Sequence, residues 1–209
     1  MKSLLSIFAS IFVAGCSVVG QSDVETPPYT LLKSNEAEKI EVRSYDNMVL
    51  VSTNMSKENG YSAFRTLFDY INGENEGATE ITMTAPVMMN SKNIIQKGTE
   101  IPMTAPVFMN ESADTPQMSF VMPKDFTLQT TPKPTNPKVR VSERKGYKVA
   151  AITFSGTLSD SNVEKHATIL TKWMTKNGYF AITKPVKAGY NSPFTLPLFR
   201  KNEVLIEIR

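Results

Sequence analysis

The chain has 209 residues, 41% of them hydrophobic, which is enough for one domain with a substantial core. It carries 23 lysines and arginines against 20 acidic residues, and this near balance without a basic stripe argues against nucleic acid as the main partner. A single cysteine excludes a disulfide within the chain, so the core alone must hold the fold.

The first 15 residues have the pattern of a signal peptide, with Lys2 before an apolar run from Leu4 to Ala14 that is too short to span a membrane. The run ends in Val-Ala-Gly-Cys16, which resembles the bacterial lipobox, in which the cysteine is lipidated after cleavage. We predict a signal peptide at 1–15, lipidation of Cys16, a short tether at 16–27 and one domain at 28–209. The alternative is an ordinary cleaved signal with a stray cysteine.

Lipidation at Cys16 would add more acyl chains than stable attachment requires, so we expect the protein to be tethered to a membrane and not to span it. Ser17 follows the cysteine. The absence of aspartate there resembles lipoproteins sent to the outer membrane. This predicts a cell-envelope protein, on the periplasmic face of the outer membrane if the source is Gram-negative.

The first part of the domain alternates between strand and helix patterns. Strands are predicted at 29–33, 40–45 and 48–53. Tyr61, Phe64, Leu67, Phe68 and Ile71 then recur at helical spacing, which predicts an amphipathic helix over 62–72 that Gly73 ends.

A ten-residue phrase occurs twice, at 81–90 and 101–110, with eight identical positions. Period-two alternation predicts two equivalent strands joined as a hairpin. Because proline cannot donate a backbone hydrogen bond, each strand is expected to form an edge or a bulge near its proline. Alternation also directs four methionines to one inward face, while Met88 and Phe108 occupy the opposite face. The four are Met83, Met89, Met103 and Met109.

The second half repeats the order of the first. A strand at 118–122 and an extended loop at 131–137 precede a hairpin of strands at 139–144 and 147–154. A helix follows, capped by Asp160 or Ser161 and ended by Asn177-Gly178, and strands near 180–183, 186–190 and 203–208 close the chain. Strands, helix and strands in two similar halves predict an α+β fold.

Several motifs are similar to one known family. They are Phe64-x-x-Leu67-Phe68-x-Tyr70-Ile71-x-Gly73-x-Asn75, then Ile81-x-Met83-Thr84-Ala85-Pro86-Val87, Met118–Pro123, Ala188–Pro193 and Arg200–Ile206. Together they resemble the SOUL haem-binding proteins over about residues 28–209. The resemblance implies a distorted antiparallel β-barrel of about eight strands with two flanking helices. It also implies non-covalent binding of haem or a related tetrapyrrole, for transport, buffering or scavenging.

Haem sites of the family lie beside the first helix, which makes Phe64 and Phe68 candidates for the apolar slot and Arg65 for a propionate. Met88 and Phe108 are further candidate contacts if their face lines a groove against a helix, and Tyr190 lies in a family-like motif. His166 is the single histidine and the candidate metal ligand. Some family members have a histidine in the strand motif where this chain has Ser44.

Other readings stay open. The methionines fit core packing or, alternatively, a Cu(I) site. A different apolar or amphipathic ligand in the barrel is a further alternative. No catalytic motif is visible, so we predict a binding protein; an enzyme would have to use Glu203 and Tyr190. The simpler role for Glu203 is an ion pair with Arg200 or Lys201.

Overall fold

The computed structural model describes residues 24–56, 60–76, 98–111, 115–192 and 194–209. In the first half of these ranges the chain forms β1 (Tyr29–Asn35), β2 (Ile40–Tyr45), β3 (Met48–Asn54), α1 (Gly60–Ile71), β4 (Asn75–Glu76), β5 (Val107–Asn110) and β6 (Gln117–Val121). The second half forms β7 (Lys133–Pro134), β8 (Val139–Arg144), β9 (Lys148–Phe154), α2 (Asp160–Lys176), β10 (Val186–Gly189), a short 3₁₀ turn (Pro197–Phe199) and β11 (Asn202–Glu207).

Nine of these strands form one antiparallel sheet in the order β1-β2-β9-β11-β10-β5-β6-β3-β8, and β4 pairs with β7 apart from it. The sheet is strongly curled into a half-barrel. Tyr45 of β2 and Phe108 of β5 lie four strand positions apart, yet both rings contact Tyr147, with centroids 5.8 and 6.4 Å away. Such contacts across the sheet require a concave face. The predicted fold is confirmed, as a half-barrel of nine strands with two helices.

Successive side chains of each strand point to opposite faces of this sheet. In β11, Val204 and Ile206 pack with α2, whereas Leu205 packs with Tyr147 and Phe108 on the concave face. Both helices therefore cover the convex face, and the aromatic side chains named above line the concave one.

Helix α1 is amphipathic, with Leu67 and Tyr70 buried against Val51 and Phe120 of the sheet. The hydroxyl of Tyr70 donates to the carbonyl of Pro132 at 2.7 Å, and burial raises the pKa of this phenol to about 12. Gly73, with φ of 110°, follows the helix in a conformation that a residue with a Cβ rarely adopts, as the sequence predicted.

Helix α2 begins one residue earlier than predicted. Ser159 is the N-cap, and its hydroxyl accepts from the backbone N–H of Asn162. Asp160, one of the two predicted caps, lies instead in the first turn, where its carboxylate bonds Lys187 at 2.8 Å. Near the other end of the helix, the side chains of Trp173 and Met174 are buried against the sheet.

Three expectations about the strands are wrong. The predicted hairpin of 139–144 with 147–154 does not form, because β8 pairs with β3 and β9 pairs with β2 and β11. Residues 180–183 contribute one isolated bridge and no strand. The strand predicted at 101–110 begins only at Val107, so alternation does not reach Met103, which is exposed while Met109 packs with the α1 core. The other copy of the repeat, 81–90, lies outside the described residues.

Among the described residues, neither helix has the length and apolar character that crossing a membrane requires.

Candidate functional site

The outer side of α1 presents an aromatic face with one cation, made of Tyr61, Phe64, Arg65 and Phe68, which we call the α1 surface. Tyr61 is 79% exposed and Phe68 is 40% exposed. Phe64 is half-buried, with its ring nearly parallel to that of Phe68 at 6.0 Å and edge-on to Phe120 at 5.4 Å. Phe64 thus links the exposed ring of Phe68 to the core.

The cation of the α1 surface is weakly engaged. Arg65 has a 70% exposed side chain, and its Nε lies 3.9 Å from a carboxylate oxygen of Asp69, one helical turn onward. An exposed pair at that distance contributes little to stability. The guanidinium is therefore able to turn toward an anionic group placed beside the aromatic rings.

A cleft of about 370 Å³ opens on the concave face. Phe108 and Tyr147 line it together with the hydroxyls of Ser52 and Ser119, which bond each other at 2.8 Å. At its rim Arg144 lies 4.8 Å above the Tyr147 ring and pairs with Glu207. The charged groups that line the cleft form ion pairs, and much of the cleft wall is polar. Such a cleft suits a small polar or amphipathic molecule.

The same face carries a cluster of buried and half-buried polar side chains, which we call the interior polar cluster: Arg43, Tyr45, Thr153, Tyr190 and Glu203. Glu203 is fully buried on β11. Arg43 of β2 reaches it with two hydrogen bonds, Nη1 to Oε2 at 2.8 Å and Nη2 to Oε1 at 2.9 Å. The Tyr190 hydroxyl donates to Oε2 at 2.6 Å and Thr153 donates to Oε1 at 3.1 Å.

The charged groups of this cluster are paired with each other. Burial favours the neutral form of Glu203, but the hydrogen bonds and charge of Arg43 outweigh it and hold the pKa of the carboxyl below its usual value. Burial, and then the charge of Glu203, raise the pKa of Tyr190 well above its usual value. A carboxylate with a depressed pKa and four donors is a poor general base, so the arrangement fixes strands more readily than it performs acid–base chemistry.

The ion pair expected between Glu203 and Lys201 is confirmed, with the lysine Nζ 3.5 Å from Oε1. The main partner, however, is Arg43, distant by 160 residues in sequence, which the sequence did not indicate. Local spacing carries no signal for a pair so far apart. The sequence did indicate that Arg43 has polar neighbours, because Glu41, Arg43 and Tyr45 alternate onto one face of β2. Arg43 also donates to Glu41, at 2.6 Å.

The other candidate residues divide between the two faces of the sheet. Phe64, Arg65 and Phe68 lie together on α1, whereas Phe108 lies in the concave cleft and Tyr190 in the interior polar cluster. Phe108 therefore faces away from both helices and lines no groove against one. Tyr61, which the sequence placed in the helical stripe without a role, completes the α1 surface. Met88 and Cys16 lie outside the described residues.

The candidate metal ligand His166 lies in α2. Its ring stacks on Phe154 at 4.0 Å, and its Nδ1 lies 2.6 Å from the carbonyl oxygen of Asn162. Within the described part of the chain, no three acidic, histidine or cysteine side chains come close enough to hold a metal ion.

Comparison with known proteins gives one family. The model of the family described as SOUL heme-binding protein matches residues 24–207. No curated protein matches the chain. Among solved structures, a hydrolase from Listeria innocua superposes with a TM-score of 0.53 at 12% identity, covering 82% of this chain and 92% of that one. An uncharacterized conserved protein from Listeria innocua gives 0.53 at 12% identity, covering 82% and 93%. At such identity these structures indicate the fold alone.

Proposed function

Because the chain belongs to the SOUL haem-binding protein family, we propose that it binds haem or a related tetrapyrrole at the α1 surface, by apolar contact and without a strong axial ligand. The observation that carries this proposal is an exposed aromatic face next to a weakly engaged cation. A porphyrin ring would lie against Tyr61 and Phe68, and a propionate would meet Arg65.

Size and polarity favour this surface over the concave face. The cleft, at about 370 Å³, is near the lower end of the range for small-molecule sites, about 300–1,000 Å³, and its rim charges are already paired. The interior polar cluster is closed by its own hydrogen bonds. The α1 surface is open to solvent and sets no such limit on a large planar ligand.

Binding of this kind should be modest in strength. The α1 surface offers no imidazole or thiolate to the iron, and Asp69 sits near the place where a propionate would lie. His166 belongs to the other helix, where its ring already packs on Phe154. Loose and reversible binding is consistent with transport, buffering or scavenging of the ligand.

A haemin titration followed at the Soret band tests the proposal. We expect a saturable one-to-one shift, weakened about ten-fold by Phe68→Ala, since that change removes much of one aromatic contact. Phe180→Ala is the matched control, because Phe180 is a phenylalanine exposed elsewhere on the surface. His166→Ala should leave the titration unchanged. The proposal fails if no saturable shift occurs, or if the Phe180 and Phe68 variants weaken binding equally.

A second candidate is a small amphipathic ligand in the concave cleft, favoured by the cleft's mixed wall of aromatic rings and hydroxyls. Asn110→Phe, at a half-buried position of the lining, should obstruct the cleft. If haemin binds the α1 surface, this variant titrates as the wild type does. Loss of haemin binding on this change would move the site to the concave face.

We further propose that Cys16 is lipidated and tethers the domain to a membrane of the cell envelope, the outer membrane in a Gram-negative source. The lipobox-like sequence supports this assignment. Cells fed an alkyne-labelled fatty acid should incorporate it into the wild-type chain, which should sediment with membranes. A Cys16→Ser chain that incorporates as much label as the wild type would contradict the assignment.

A further inference from the structure

The connection between β10 and β11 displays large apolar side chains to solvent. Phe194 is 90% exposed and Leu198 is 81% exposed, and Leu196 and Phe199 are each about half exposed. We call these four residues the apolar loop. Monomeric soluble domains rarely expose apolar groups in such a cluster, and clusters of this kind often mark an interaction surface.

The backbone of this loop is held in place. The N–H of Phe199 bonds the carbonyl of Leu196 at 2.9 Å within the 3₁₀ turn, and the N–H of Gly156 bonds the carbonyl of Pro197 at 2.8 Å. At the start of β11, the side chain of Asn202 donates to the carbonyl of Gly156. The loop is thus fastened to the end of β9, and its apolar side chains point outward from a fixed base.

One contact of the N-terminal segment lies near the strand end from which the apolar loop departs. The carbonyl of Glu25 accepts from the N–H of Ala105 at 2.9 Å, two residues before β5 begins. Val107, the first residue of β5, pairs with Gly189, the last residue of β10, from which the loop departs. Neighbouring strands are about 4.8 Å apart, so Glu25 lies near the base of the loop.

The length of chain before Val24 limits how far this end can stand from an anchor at Cys16. Eight residues extend at most about 29 Å, so a lipidated Cys16 would hold Val24, and the strand end beside it, within about that distance of the bilayer. Lys201 follows the apolar loop, half-exposed, with its Nζ 4.2 Å above the ring of Tyr190. Apolar groups backed by a basic residue match the composition of segments that settle at a lipid interface.

We propose that the apolar loop inserts into the interfacial region of the membrane that holds the Cys16 anchor. This inference rests on the proposed lipid anchor and is independent of haem binding. The membrane then contacts the domain at two neighbouring points, the acyl chains and the loop, so the domain has a fixed orientation on the bilayer and does not tumble on its tether.

An environment-sensitive fluorophore on an introduced cysteine tests the proposal in the full chain, purified with its lipid and reconstituted into vesicles of phosphatidylethanolamine and phosphatidylglycerol. Leu198→Cys reports on the apolar loop. Phe180→Cys is the matched control, since Phe180 is 73% exposed and its carbonyl bonds the N–H of Arg209, beyond the opposite end of β11. We expect a blue shift and quenching by acyl-chain-linked quenchers at position 198 and neither at 180.

Outcomes of this experiment separate the loop from the anchor. A chain that floats with the vesicles but shows no shift at 198, or equal shifts at 198 and 180, overturns the insertion of the loop. Labelling of the wild-type chain would mean that Cys16 carries a free thiol, which overturns the anchor and with it this proposal. The Leu198→Ser chain should titrate with haemin as the wild type does, and weaker haemin binding would assign the loop to the ligand instead of the membrane.

Discussion

The α1 surface and the interior polar cluster both combine aromatic rings with charge, but they satisfy that charge differently. In the cluster, Glu203 receives two hydrogen bonds from Arg43 and one each from Tyr190 and Thr153. On α1, the guanidinium of Arg65 has an exposed carboxylate at 3.9 Å. A charged group whose hydrogen bonds are already made within the protein stabilises the fold, whereas a charged group left near solvent is able to bind a ligand.

The cluster's position explains what it does for the fold. Its residues come from β2, β9 and β11 and from the end of β10, which are consecutive in the sheet. The side chains cross the concave face and join strands that backbone hydrogen bonds link only pairwise. Because their geometry is specific, they favour one curvature and one register of these strands.

The largest effect should follow from removing the acid of the cluster. Glu203→Ala leaves Arg43 buried without its main partner, and we expect a loss of about 3–5 kcal/mol in the free energy of unfolding, measured by urea denaturation. The double variant Arg43→Met/Glu203→Leu replaces the pair by apolar groups and should recover most of that loss. Haemin affinity of the folded double variant should equal that of the wild type. A stable Glu203→Ala chain that fails to bind haemin would give the cluster the role we assign to α1.

A smaller loss should follow from Tyr190→Phe, which removes the hydroxyl that donates to Glu203 at 2.6 Å. A hydrogen bond to a charged group contributes about 1.5–3 kcal/mol, and the change in the urea midpoint should correspond to that range. Tyr29→Phe is the control, since Tyr29 donates to Glu41 at the surface at 3.3 Å and should cost no more than about 0.5 kcal/mol. Equal losses in the two variants would refute the contrast between saturated and exposed groups.

The cluster should also make stability depend on acid pH. The pKa of Glu203 is lower in the folded chain than in the unfolded one. Its contribution is therefore complete above the unfolded pKa and is lost as pH falls through the folded pKa, at about 1.4 kcal/mol per unit of difference between the two values. Urea denaturation across this acid range should show a shallower decline for Arg43→Met/Glu203→Leu than for the wild type. Parallel curves would mean that Glu203 does not carry the acid sensitivity.

The sequence predicted the elements far better than their partners. Helix α1 followed from the stripe through Phe64, Leu67 and Ile71, and β2 and β3 followed from alternation, since both patterns are local. The pairing partners of β8 and β9 did not follow from the sequence. These two strands are neighbours in sequence, but β8 lies at one edge of the sheet and β9 lies near the other. Tyr147, between them, packs on Tyr45 across the concave face.

The same limit applies to the candidate site. The sequence and the resemblance grouped Phe64, Arg65 and Phe68, which lie within two turns of one helix. Arg43 was missed because its partner is on a strand 160 residues away. Phe108 was a candidate only if its face met a helix, and alternation alone cannot tell which face of a curled sheet the helices cover. Contacts between distant strands arise from the packed sheet and leave little trace in local spacing.

The smallest expected effect concerns the exposed cation of α1. Asp69→Asn removes the carboxylate beside Arg65 and should raise haemin affinity about two- to five-fold, since the free guanidinium can then meet a propionate without a neighbouring negative charge. Arg65→Gln should lower affinity by a similar factor and reduce its dependence on salt, because exposed charges are screened at higher ionic strength. Titrations at low and high salt measure both effects. Should Asp69→Asn weaken binding, or should Arg65→Gln leave both affinity and salt dependence unchanged, the ligand's anionic groups do not meet this helix.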